Sequence, residues 1–338
     1  MISETRATRI ATPLTLALSP LRGEGIPRPG LGCPADLWVR AGSPTVPAST
    51  TRREFLKCVT VAIGPAVLAV EAPVVSAAQK EARELVDVNV NLGRWPLRRV
   101  PCDEPGPLVA KLRARGVTQA WAGSLDGLLH KDLGAVNARL AEDCRRHGRG
   151  LLLPFGSINP RLPGWEQELQ RCIEVYRVRG LRLHPNYHGY RLDDPAFTRL
   201  LKRATECRLI VQLALLMEDE RMMHPRLRVE PVDPAPLAEL VRQTPGLRLV
   251  LLNALRTLRG EFLRKLISAG DVCVEISMLE GVGGVGGLLE QVPAERVLFG
   301  SHVPLFYFES AELKLKESPL TPEQRGAIGQ GNARRLLA

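Results

Sequence analysis

The chain has 338 residues, 45% of them hydrophobic and 24% charged, and a formal net charge of +10. This usage supports a sizeable core and excludes fibrous and broadly disordered architectures. Aromatic residues make up only 4% and no arginine stripe with interleaved aromatics occurs, so nucleic acid is not an expected partner.

Residues 1–50 are rich in Pro, Gly and Arg, lack periodicity, and read as an over-extended or disordered leader. The segment Thr51-Arg52-Arg53-Glu54-Phe55-Leu56-Lys57 precedes a mainly apolar run, 58–70, and the small residues Ser76-Ala77-Ala78. Paired arginines, an apolar stretch and a small-residue site follow the order of a twin-arginine signal peptide over 51–78, with cleavage expected after Ala77 or Ala78. The run is shorter than the roughly 20 residues that span a bilayer. Cys58 also lacks the preceding small residues of a lipoprotein signal, so no stable membrane anchor is expected. The expected partner is the twin-arginine export machinery and the expected destination the periplasm. Removing 1–78 takes away eight basic and five acidic residues, which lowers the net charge to +7. Cysteines 102, 144, 172, 207 and 273 form no CxxC pair and read as isolated thiols.

From residue 85 onward, β-rich runs alternate with amphipathic segments. Strands are expected at 85–91, 117–123, 151–157, 181–184, 209–216, 247–253, 272–277 and 296–300. Helical patterns such as DLGAVNARLAEDCRRHG and DPAFTRLLKRATEC lie between them. Eight such units in 79–338 predict an α/β protein built as a single (β/α)8 TIM barrel, with an open doubly wound sheet as the alternative. No Gly-x-Gly-x-x-Gly follows the first strand. The glycine-rich run 281–287 lacks the Lys and Ser/Thr of a P-loop and reads as a flexible loop entering a helix.

In the first strand, Asp87, Asn89 and Asn91 alternate with Val86, Val88, Val90 and Leu92. A period of two places the three polar residues on one face, directed into an enclosed interior where each needs a partner. The C-terminal strand ends, where barrel sites form, also carry Ser157, Asn159, His184, Asn186, Tyr187, His188, Gln212, Asn253, Glu275, Ser277 and His302. The run Glu218 to Arg221 follows strand five.

The stretches DVNVNLGRWP, GLRLHPNYHGYRLDDPAF, VQLALLMEDERMMHP, LRLVLLNAL, VLFGSHVPL and GNARRLL occur in an order and spacing that resemble the amidohydrolase-related family. The resemblance is to its TIM-barrel branch of metal-dependent hydrolases and decarboxylases, over 85–338. It implies hydrolysis of a C–N or C–O bond, or decarboxylation, of a small carboxylate-bearing molecule. The ligand positions of that family depart from its pattern: Asn89 and Asn91 stand in place of His-x-His, no histidine lies near 212–214, Asn253 replaces the sixth-strand histidine, and His302 replaces the aspartate of strand eight.

Neutral amides are poor ligands for zinc, so the cofactor expectation is either none or one divalent ion held by His184, His302 and Asn253, with Glu275 as a weaker fourth. Three functions follow. In the first, a metal-free enzyme, His302 is acid or base, His184 stands beside it, and Asn89, Asn91 and Asn253 donate to an oxyanion. Arg94 or Arg221 would anchor a substrate carboxylate, and Tyr187 and His188 would shape the mouth. The second is a catalytically inactive barrel that binds a small molecule. The third is a hydrolase using the unusual metal set.

Overall fold

A computed structural model describes residues 84–338. The leader and the twin-arginine segment lie outside these residues. Eight strands run in parallel in chain order: β1 (Leu85–Leu92), β2 (Val117–Ser124), β3 (Leu152–Gly156), β4 (Gly180–Leu183), β5 (Ile210–Ala214), β6 (Arg248–Leu252), β7 (Asp271–Glu275) and β8 (Val297–Leu298). The segment after β8 returns to β1. Val88 N–H donates to the Phe299 carbonyl at 3.0 Å and Asn91 N–H to that of Val303 at 2.8 Å, with a parallel bridge between Val90 and Val303. This seam makes a nearly closed (β/α)8 barrel and rules out the open sheet. Every strand expected from the sequence is present, shifted at its ends by a few residues.

The helices are α1 (Pro105–Ala114), α2 (Leu133–Asp143), α3 (Trp165–Glu174), α4 (Pro185–His188), α5 (Pro195–Glu206), α6 (Leu237–Arg242), α7 (Gly260–Ile267), α8 (Gly284–Leu289), α9 (Phe308–Glu317), α10 (Pro322–Gly326) and α11 (Asn332–Leu337). None of the described helices is long and apolar enough to cross a membrane. The physics of α5 is typical. Phe197, Leu200, Leu201 and Ala204 recur at helical spacing and are buried, while Asp194 caps the first turn by accepting from Ala196 N–H and Pro195 occupies N1. Each buried Leu contributes about 2 kcal/mol, whereas Asp194→Ala would cost about 1 kcal/mol. The helix stops at Cys207, after which Arg208 is left-handed with φ 54°. The glycine-rich run leads into α8 as expected, through left-handed Gly281 and Gly283.

Two apolar layers result. One lies between strands and helices. The other fills the barrel's interior with Val86, Val88, Trp121, Phe155, Ile210, Val250, Cys273 and Leu298. Trp121 and Phe155 stack at 4.9 Å between ring centroids.

β1 corrects one expectation. Val86 and Val88 join the inner layer, whereas Val90 and Leu92 join the outer one, and the pairing with β2 shifts register between Asp87 and Val90. A bulge therefore interrupts the alternation, and Asp87, Asn89 and Asn91 do not share one uninterrupted face. At the bulge, Asp87 Oδ1 accepts from Asn89 N–H at 3.1 Å. Asp87 also accepts from the Ser301 hydroxyl at 2.5 Å and the Ser301 N–H at 3.0 Å, which ties the bulge to the β8 seam.

Candidate functional site

The bulge directs the Val88 and Val90 carbonyls to the side chain of Arg182 on β4, which is 1% exposed. Arg182 uses all five of its N–H donors. Nε bonds Gln212 Oε1 at 2.8 Å, Nη1 bonds the Val90 carbonyl at 2.7 Å and Asn91 Oδ1 at 2.8 Å, and Nη2 bonds the Trp121 and Val88 carbonyls at 2.9 and 3.2 Å. Gln212 Nε2 adds a bond to Val88 O at 2.7 Å. Gly123 on β2 provides the room, since a Cβ there would lie 2.5 Å from Arg182 Cδ and 2.8 Å from Nε and Nη1. Burial pulls the guanidinium down to about 9, against the pull of Asp87 and Glu275, so it keeps its charge at neutral pH. Sequence reading missed Arg182. The signal was present: in Leu181-Arg182-Leu183-His184, period two puts Arg182 on the face of His184.

Above Arg182, part of the strand-end polar set is bonded together. Asn89 Nδ2 donates to Asn253 Oδ1 at 2.8 Å and to Glu275 Oε1 at 3.2 Å. Glu275 also accepts from Asn253 N–H and Ser277 N–H at 2.6 Å each, and the Ser277 hydroxyl lies 2.7 Å from its Oε1. Asn253 Nδ2 donates to Leu216 O at 2.6 Å. A Cβ on Gly300 would overlap Glu275 Oε2, so that glycine makes space for the carboxylate.

His302 completes the group. Its Nε2 lies 2.9 Å from Met217 O, an acceptor only, so Nε2 carries the proton and Nδ1 keeps a lone pair. Asn91 Nδ2 lies 3.3 Å from Nδ1 and donates to it; Asn89 Oδ1 lies 3.4 Å away. Burial pulls His302 down to about 4, partly offset by the Met217 bond and reinforced by Arg182, so the ring is neutral. Burial pushes Asp87 up to about 6, against its bonds to Ser301 and Asn89. Asn253 and His302 both sit at left-handed φ, 56° and 59°. Such backbone costs of order 1 kcal/mol or more for a non-glycine residue and concentrates at functional sites.

His184 is buried with its Nδ1 unpartnered among the described residues, and its ring meets His188 edge-on at 6.2 Å. Burial first, then the neighbouring His188, Arg182 and His302, hold it well below the ordinary histidine range. His188 Nε2 donates to Gly127 O at 2.7 Å. Tyr187 packs, half-buried, against the inner apolar layer. Arg94 and Arg221 are not brought into the interior: both are largely exposed and paired with Glu104 and Asp219. Their long side chains find carboxylates on their own loops.

The interior is closed in this conformation. Asn89, Asn91, Arg182, His184, Gln212, Asn253, Glu275 and His302 are each at most 2% exposed. The cover is the segment after β5, where Met217 holds His302 and buried Glu218 pairs with Arg98 from the loop after β1. Trp95 and Met217 belong to one buried cluster.

These residues do not fit a divalent metal. Among the described residues, no group of three or more His, Cys, Asp or Glu side chains is arranged to hold one. The Asn91 oxygen is bonded to a guanidinium, Asn253 Oδ1 accepts from Asn89, and His302 Nε2 presents its proton to Met217. In the set expected from sequence, His302 Nε2 and Asn253 Oδ1 are thus already engaged, while His184 Nδ1 is unpartnered among the described residues.

A (β/α)8 barrel with a polar mouth at the strand C-termini defines the class. Residues 108–338 match the amidohydrolase family model, and the chain belongs to that family. The match begins within α1, beyond β1. Among solved structures, 2,6-dihydroxybenzoate decarboxylase from Rhizobium is similar, with 15% identity over 75% of this chain and 98% of that one and a TM-score of 0.60. 5-Carboxyvanillate decarboxylase from Sphingomonas paucimobilis shows 14% identity over 75% and 99%, with a TM-score of 0.59. A dihydroxybenzoic acid decarboxylase from Polaromonas, solved with bound manganese and 2-nitroresorcinol, shows 12% identity over 75% and 97%, with a TM-score of 0.57. At these identities the likeness establishes the fold. No curated protein matches the sequence.

Proposed function

We propose that the barrel acts on a small carboxylate-bearing molecule, by hydrolysis of a C–N or C–O bond or by decarboxylation. The observation that carries this reading is the unpartnered Nδ1 of His184, a buried polar atom beside the bonded group of Asn89, Asn253, Glu275 and His302; Ser157 Oγ and His188 Nδ1 at the strand ends are likewise without a partner among the described residues. A buried group without a partner invites a ligand or water. The similar solved structures include decarboxylases of hydroxylated aromatic acids, which supports the substrate class. In this reading the segment after β5 opens, the acid enters above β4, and His184 or His302 transfers the proton. The neutral ring first takes that proton, from water in hydrolysis and from water or a substrate hydroxyl in decarboxylation, where it then passes to the carbon that loses CO2. Asn89, Asn91 and Asn253 orient the substrate.

The test is turnover of a panel of hydroxybenzoates and lactones by the purified chain, followed by mass spectrometry of products. His184→Ala and His302→Ala should each lower kcat at least tenfold, and unchanged turnover in both variants would sink the reading. A second reading, a barrel that binds a small acid without changing it, is favoured by the near-saturated bonding of Asn89, Asn253, Glu275 and Ser277. Recovery of a bound acid chemically intact after long incubation supports it. We also propose export through the twin-arginine route to the periplasm, which a mature N-terminus near residue 78 in a periplasmic fraction would support and an intact leader there would refute.

A further inference from the structure

An isolated buried cation is costly unless its donors are satisfied and its charge is balanced. Arg182 meets the first condition with five oxygens, all formally neutral: three backbone carbonyls and the amides of Asn91 and Gln212. The second is met through space by Asp87 and Glu275, which hold no bond to it. The glycine at 123, the bulge in β1 and the orientation of Gln212 are all fitted to this one side chain.

One of the five acceptors, Asn91, stands where the family pattern places a metal-ligating histidine. We propose that the guanidinium of Arg182 is the resident cation of this barrel, bound by the oxygens of β1, β2 and β5, and that it closes the mouth to a divalent metal ion. A second positive charge brought to Asn91 or His302 would displace an existing bond and meet a fixed charge in a poorly screened interior. The proposal is independent of the activity proposed above, because its readouts are metal content and thermal stability.

Two measurements test it. The chain is first purified without chelator or histidine tag, its metal content is determined, and Mn2+ and Zn2+ are titrated calorimetrically. Substoichiometric metal, no saturable uptake and a Tm unchanged by EDTA are expected. About one equivalent of either ion, with a Tm that falls on chelation, would overturn the proposal.

The second measurement is chemical rescue of Arg182→Ala, whose cavity keeps the five oxygens. Guanidinium chloride at low millimolar concentration should restore part of the lost Tm in this variant and none in the wild type, while urea, its neutral planar counterpart, should not. Equal rescue by urea would show that hydrogen bonding alone is at stake and refute the role of charge. If Arg182→Ala does not fold, Arg182→Lys and Arg182→Met are compared. The lysine variant should have the higher Tm, and a methionine variant that equals or exceeds it overturns the proposal.

Discussion

Arg182 Nη1 lies 2.8 Å from the side-chain oxygen of Asn91, and this contact fixes which way the Asn91 amide faces. A guanidinium nitrogen only donates, so oxygen must be the atom turned to it and Nδ2 the atom turned to His302. His302 Nδ1 is then an acceptor, in agreement with its Nε2 proton on Met217 O. One buried charge thereby sets the tautomer of a histidine on the opposite side of the barrel.

Gly123→Ala would place a methyl group 2.5 to 2.8 Å from three Arg182 atoms that have no free space to retreat into. The expected loss is about 1 to 3 kcal/mol, the range for overpacking a filled interior. Urea unfolding checks it, and an unchanged midpoint would mean that Arg182 does not need the space Gly123 leaves.

Glu275→Gln keeps the shape but supplies only one oxygen. The four donors around Glu275 approach both oxygens, with Ser277 N–H on one and Asn253 N–H on the other, so either orientation of the new amide sets NH2 against an N–H. A loss of about 2 kcal/mol or more is expected. It would be accompanied by faster hydrogen exchange at Asn253 and Ser277.

The His302 contribution to stability should fall as pH falls from about 6.5 towards 4. His302 binds its proton near 4 in the folded chain and near 6.5 when unfolded, so its contribution is full above 6.5 and is lost as pH drops through 4. His184 and His188 shift in the same direction. Asp87 works oppositely: its folded value, about 6, exceeds its unfolded one, so its contribution is full below 3.8 and is lost as pH rises through 6. Asp143 and Glu218, also raised by burial, act with Asp87, and the three histidines act against them. His302→Asn, which tolerates the left-handed backbone, should remove the His302 share. Urea midpoints at pH 5 and pH 7 provide the comparison, and equal differences in both proteins would argue against His302 as a source.

Arg98→Ala removes the cation that pairs with Glu218 and leaves a carboxylate buried at the mouth. The cost is expected to be roughly 1 to 3 kcal/mol. Amides of the segment around Met217 should exchange faster, while those of β4 remain protected. Identical exchange in the two proteins would show that this ion pair does not hold the cover.

The periodic parts of the molecule were legible in the sequence, because burial imposes period two on strands and 3.6 on helices. Asn89, Asn253 and Glu275 were found together for the same reason: each ends or lies within a strand whose direction the pattern gave. The β1 bulge was not legible, since the contacts that accompany it join Asp87 to Asn89 N–H and to Ser301, more than two hundred residues away in the chain. Arg94 and Arg221 were misplaced because long side chains on loops choose partners by reach. Arg182 was overlooked because a charged residue between two leucines looks like the solvated face of an edge strand, and here that face is the barrel's interior.

The five acceptors of Arg182 also constrain how the chain assembles. Its partners Val88, Val90 and Asn91 precede it by more than ninety residues, Trp121 by about sixty, and Gln212 follows by thirty. A nascent chain that has released only β1 to β3 holds four of the five acceptors and lacks the arginine, while β4 alone holds a charge that stays in water. Contacts of such long sequence separation form slowly. The interior therefore cannot dry until β1, β2, β4 and β5 have met, which makes the first five strands the smallest assembly able to bury this charge.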